Sequence, residues 1–89
     1  MFPTPDTPGV KICGITSVGD GLAAARHGAD AIGLIFYPPS PRLVTLERAR
    51  EIGASLPAFV ARVAVFVNPA AADVEAVIRA CRPDLLQFH

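Results

Sequence analysis

The sequence predicts an α/β fold built on a parallel sheet, and three observations carry that prediction. Four short apolar runs rich in β-branched or aromatic residues alternate with three stretches of helical periodicity, the pattern of β-α-β units. The composition is 52% hydrophobic and 18% charged, enough to fill a core and unlike that of a disordered chain. The third observation is pace. Three strand-helix units and a fourth strand fit into residues 10–89, so eight such units would need about 200 residues, the lower range of a (β/α)8 barrel. The expected architecture is that of the TIM-barrel family, this chain covering about three βα units plus a fourth strand, a half-barrel. A small open α/β sheet is the alternative. It would leave the last strand without a covering helix, whereas parallel strands are normally covered on both faces.

The elements follow in order. Residues 1–9 hold three prolines, two threonines and a glycine and are expected to form a flexible leader, with the folded unit over 10–89. VKICGI from Val10 is the first strand. Ser17, with Asp20 three residues on, resembles a capping box; Val18, Leu22 and Ala25 give the first helix its apolar stripe, and Gly28 ends it. AIGLIF from Ala31 is the second strand. Thr45 is the expected N-cap of the second helix, whose Leu46, Ala49, Ile52 and Leu56 share a face before Pro57. VARVAVFV from Val60 is the third strand. Asn68 is the expected cap of the third helix, with Pro69 at its first helical position and Val74, Val77, Ile78 and Cys81 at i, i+3, i+4, i+7. DLLQFH from Asp84 is the last strand.

Charge narrows the class of partner. Eight basic and eight acidic residues balance and no Lys/Arg cluster forms, which argues against nucleic acid and anionic membrane and for a small-molecule site. No apolar run approaches the roughly 20 residues of a membrane span, and MFPTPDTPGV lacks the features of a signal peptide, so a cytoplasmic protein is expected. Cys13 and Cys81 lie far apart without metal-ligand companions at short spacing, which points to neither a disulfide nor a metal centre.

Side chains alternate faces along a strand. Lys11 and Cys13 therefore share one face of the first strand, opposite Val10, Ile12 and Gly14, and Gln87 and His89 share one face of the last, opposite Leu86 and Phe88. The apolar faces should meet the helices. Two strands then point polar groups the same way near their C-terminal ends, where barrels and open α/β sheets bind ligands. Each residue also has a plainer reading. Cys13 is either a structural thiol or a thiolate favoured by Lys11; Lys11 is expected to balance a carboxylate from a neighbouring strand; His89 is either a frayed end or a ligand-facing imidazole. Arg42 follows the stiff run Pro38, Pro39, Pro41, and is either a solvated loop residue or a fork held ready for a carboxylate or phosphate. Cys81 reads as a small hydrophobe on a core stripe, and His27 as a favourable partner of a helix C-terminus. Gly19-Asp20-Gly21-Leu22-Ala23-Ala24 matches the dinucleotide fingerprint G-x-G-x-x-A. The acidic residue that should end the second strand is absent, with Phe36 and Tyr37 in its place, which disfavours a nucleotide-binding module.

Four stretches in register carry a more specific signal: KICGIT at Lys11–Thr16, GAD at Gly28–Asp30 leading into IGLIFYPPSPR, VAVFVN at Val63–Asn68, and the closing LLQFH. Together they resemble the phosphoribosylanthranilate isomerase family of tryptophan biosynthesis, over residues 10–89. The resemblance implies an Amadori rearrangement of N-(5-phosphoribosyl)anthranilate to 1-(2-carboxyphenylamino)-1-deoxyribulose 5-phosphate on a (β/α)8 barrel, without metal or organic cofactor. It implies Cys13 as general base and Arg42 as the anchor of the anthranilate carboxylate, with His89 lining the same pocket and Lys11 and Gln87 in support. It also implies a general-acid aspartate and a phosphate site in the second half of the barrel. Asp73, Glu75 and Asp84 occupy helix or helix-end positions and do not supply that acid, so these 89 residues by themselves are expected to be inactive. The competing expectation is a non-catalytic half-barrel that self-associates through its open edges.

Overall fold

The structure is a computed structural model that describes residues 9–89; the expected leader, apart from Gly9, lies outside them. The elements run β1 (Lys11–Cys13), α1 (Val18–Arg26), β2 (Ala31–Ile35), α2 (Leu46–Ser55), β3 (Ala61–Phe66), α3 (Ala71–Cys81) and β4 (Leu85–Phe88). All neighbouring strands pair in parallel in the order β1-β2-β3-β4. One row of the register joins Cys13, Gly33, Val63 and Leu85.

Helix starts follow the expected chemistry at two of three places. The Ser17 hydroxyl accepts from the Asp20 amide at 3.1 Å, and the Thr45 hydroxyl accepts from the Arg48 amide at 3.0 Å, each satisfying a donor that has no partner inside its helix. Gly28, at φ +91°, turns the chain out of α1 in a left-handed conformation that glycine adopts without strain. The third start differs from expectation. Asn68 takes a left-handed φ of 43° and Ala70, with no side-chain cap, is the N-cap; asparagine tolerates that conformation, and Pro69 disfavours a right-handed helical residue before it. The stripe on α3 also departs from expectation, since Val77 is buried but Ile78 is 44% exposed. α3 packs on α2 along one flank, and the described residues place no helix against the other.

One face of the sheet carries the core. Ile32, Leu34, Ala64 and Phe66 are buried with Ala49, Ile52 and Val77 of the helices. Gly21 permits the close approach of α1 to α2, because a Cβ there would meet Ile52 Cγ2 at 3.3 Å. Gly19 and Gly21 thus lie inside α1, where Gly21 serves helix packing, rather than in a strand-helix turn that cradles phosphate. Ile12, Leu86 and Phe88 share the core parity but remain exposed, Phe88 at 55%, because their strands are the sheet edges. Cys81 takes the packing role expected of it, against residues of both core clusters. Burial pushes its thiol up, partly offset by the Arg50 guanidinium.

The N-terminal rim of the sheet is fastened twice in the same way. The Asp30 amide donates to Val10 O and its carboxylate accepts from the Val10 amide, both at 2.8 Å. Asp84 repeats the arrangement on Arg62, again at 2.8 Å in both directions. The Arg62 side chain then reaches the C-terminal end of α2: Nε and Nη2 donate to Gly53 O at 3.0 and 2.7 Å, Nη2 to Leu56 O at 3.1 Å, and Nη1 to Val60 O at 2.7 Å. Gly53 O and Leu56 O lie at the C-terminal end of α2, where carbonyls lack full intrahelical pairing and a cation suits them, and Val60 O lies in the connection that follows. The accompanying pair with Asp84, at 3.9 Å and with the carboxylate 54% exposed, adds little. Arg62→Met, which keeps most of the apolar stem, is expected to cost about 2–3 kcal/mol of stability through the lost charge-assisted bonds; urea unfolding with a loss below half a kcal/mol, on the order of a neutral surface change, would contradict the fastening role.

Candidate active site

The face opposite the helices carries Lys11, Cys13, Gly33, Val63, Val65 and Gln87, by the strand register. Edge strands of a flat four-stranded sheet stand about 14 Å apart, and the register sets Gln87 four rows beyond Lys11 along the strands, a combined span beyond the reach of a lysine and a glutamine. The Lys11 amine nevertheless donates to Gln87 Oε1. The sheet therefore curls toward this face, which is the concave side of the arc. The expected carboxylate partner of Lys11 gives way to this amide: the register puts no Asp or Glu on the face, and Asp30 and Asp84 are turned to the backbone of the rim.

That bond also orients Gln87. Lysine only donates, so the amide oxygen must face it, leaving Nε2 toward His89 at 2.7 Å. An amide N–H donates, so His89 Nε2 is the acceptor. The His89 backbone amide donates to Phe66 O at 2.9 Å, which continues the β3-β4 ladder to that residue. Lys11, Gln87 and His89 thus form one hydrogen-bonded line.

Cys13 and Arg42 lie at the C-terminal end of β1. The Cys13 side chain is exposed and leans over β2, its Sγ 2.8 Å from where a Cβ of Gly33 would sit. Arg42 crosses Gly14, its Cδ 2.6 Å from where a Cβ of that residue would be. Gly14 has φ +83°, so glycine is required there for conformation as well as space. The loop that delivers Arg42 is tied down: Ser40 Oγ accepts from the Arg42 amide at 3.1 Å, the Ser40 amide donates to Tyr37 O at 2.9 Å, and the Val44 amide to Ile35 O at 3.1 Å. The structure therefore brings the thiol and the guanidinium to one strand end, and Lys11, Gln87 and His89 to one line on the same sheet. Sequence reasoning missed Gly33. A glycine inside a strand pattern is a recognised sign of close approach, but what approaches it depends on the β1-β2 register.

Two clefts occur elsewhere on the surface. One, of about 610 Å³, lies at the N-terminal rim between Lys11, Asp30, Ala61 and Asp84; the other, of about 420 Å³, lies between Tyr37, Leu46, Phe66 and Asn68. Neither is lined by Cys13 or Arg42.

Residues 10–89 match the family model described as N-(5'-phosphoribosyl)anthranilate (PRA) isomerase. The chain belongs to the phosphoribosylanthranilate isomerase family. It is 62% identical over 82 residues to the isomerase of Alcanivorax borkumensis, an alignment covering 92% of this chain and 38% of that relative. Among solved structures it resembles the isomerase of Thermotoga maritima with a TM-score of 0.87 at 44% identity, covering 91% of this chain and 40% of that one. A further structure of a phosphoribosyl anthranilate isomerase, in complex with reduced 1-(o-carboxyphenylamino)-1-deoxyribulose 5-phosphate, matches with the same TM-score and identity over 91% of this chain and 42% of that one. The chain thus spans about two fifths of the length of its relatives, and its four parallel strands and three helices are part of the family's barrel.

Proposed function

We propose that residues 10–89 are the N-terminal half of a phosphoribosylanthranilate isomerase barrel and carry the general base and the carboxylate anchor of its Amadori rearrangement. An acid protonates the ring oxygen of N-(5-phosphoribosyl)anthranilate and the furanose opens to a Schiff base. Cys13, as thiolate, removes the C2 proton, and the resulting enol collapses to the ketone of 1-(2-carboxyphenylamino)-1-deoxyribulose 5-phosphate. Arg42 grips the anthranilate carboxylate with its planar fork. His89 lines the pocket, its ring oriented by Gln87, and Lys11 holds Gln87 in turn. The ring-opening acid and the phosphate site belong to the second half of such a barrel.

The observation that carries this reading is the placement of Cys13 and Arg42 on neighbouring glycine sites at the C-terminal end of β1, where barrel enzymes assemble their chemistry. A cytoplasmic setting is part of the proposal, since there two free thiols stay reduced. So is self-association of the 89 residues through the edges that expose Val10, Leu85 and Phe88, which sedimentation velocity reads directly.

The test is a chimera in which residues 10–89 replace the aligned segment of the Alcanivorax relative. It is expected to restore growth to a tryptophan auxotroph lacking this isomerase, whereas the 89 residues alone are not. Growth on the 89 residues alone would overturn the division of acid and base between halves; a folded chimera without activity would overturn the isomerase reading.

A further inference from the structure

We propose that Gly33 is a positioning residue for the Cys13 thiol: its missing side chain is the seat in which Sγ lies across β2. The inference rests on the isomerase reading only for its catalytic meaning.

Three observations carry it. Cys13 and Gly33 are register partners on the concave face, so any side chain at 33 would stand beside the thiol. A Cβ there would be 2.8 Å from Sγ, closer than real Cβ atoms approach, and 3.3 Å from Cys13 Cβ and 3.2 Å from Cys13 Cα, tighter than ordinary contact. Backbone conformation does not call for glycine, because the left-handed glycines among the described residues are Gly14 and Gly28. A strand-interior glycine is unfavourable on entropic grounds, so its use at 33 is explained by space for the thiol. Gly33 also fixes the chain that follows the cysteine: its carbonyl accepts from the Gly14 amide at 3.0 Å and the Ile15 amide at 3.1 Å. One residue thus sets both the direction of the thiol and the turn beneath Arg42.

The experiment uses the 89-residue chain with Cys81→Ala, so that Cys13 is the single thiol. Alkylation by iodoacetamide is followed from pH 6 to 10, and urea midpoints are measured for Gly33→Ala with and without Cys13→Ala. Gly33→Ala is expected to change the alkylation rate at least fivefold. The loss of urea midpoint it causes is expected to shrink by half or more when Cys13→Ala removes the sulfur. An unchanged alkylation profile, or an equal midpoint loss in both backgrounds, overturns the role. Where Gly33→Ala alone does not fold, recovery of a folded protein in the double variant supports the seat, and failure of the double variant as well overturns it. Neither readout involves turnover. A chimera without isomerase activity would remove the catalytic reading and leave the seat standing.

Discussion

Alanine in place of Cys13 in the isomerase chimera is expected to lower kcat by about a hundred- to ten-thousandfold, the range supplied by a well-placed general base. KM is expected to move by less than about threefold, because a thiol that acts as the proposed general base works on the C2 proton in the transition state and contributes little to ground-state binding. Arg42→Ala is the informative contrast. A guanidinium on a carboxylate remote from the reacting carbon holds ground state and transition state alike, so its loss appears mainly in KM. Steady-state kinetics of the two variants separates the roles, and a Cys13→Ala chimera retaining more than about a tenth of wild-type kcat, well above what loss of a base allows, would remove the cysteine from the chemistry.

The largest effect on stability is expected at Phe66. It is 1% exposed and lies between Phe36 and Phe88, with ring centroids 5.7 and 5.5 Å away and interplanar angles of 24° and 20°. Phe66→Ala removes a buried ring and leaves a cavity, at a cost of about 3–5 kcal/mol, with stacking adding about 1 kcal/mol. Small domains are stable by only about 5–15 kcal/mol, so unfolding is expected near room temperature in mild denaturant. Phe66→Leu keeps most of the volume and is expected to retain most of the stability. Circular dichroism during urea titration decides it, and a loss under about 1 kcal/mol, below the usual range for a buried ring, would show that the cluster is not central. Phe66 also joins core to site, since its carbonyl receives the His89 amide.

How much of this was legible in the sequence depends on how far each feature reaches. Ser17, Thr45 and Gly28 act within one helical turn, and their spacing announced them. The alternation that put Lys11, Cys13, Gln87 and His89 on one face is likewise local to each strand. Asn68 misled because the same asparagine suits a helix cap and a left-handed turn, and only the path of the chain chooses. The partner of Lys11 was hidden for another reason: it depends on the curl of the sheet, which brings the first and last strands within reach. Arg62 and Gly33 depend on register between distant segments. A cation among apolar strand residues announces a partner without naming it, and an interior glycine announces a close approach without saying by what.

The doubled fastening of Asp30 on Val10 and of Asp84 on Arg62 bears on how such a chain can change over time. Both clasps hold main chain to carboxylate at the rim away from Cys13 and Arg42, so they constrain an aspartate and hardly constrain its partner's side chain. Substitutions in the loops at the opposite rim leave both clasps in place. The fold keeps its structural insurance at one end and its evolutionary freedom at the other.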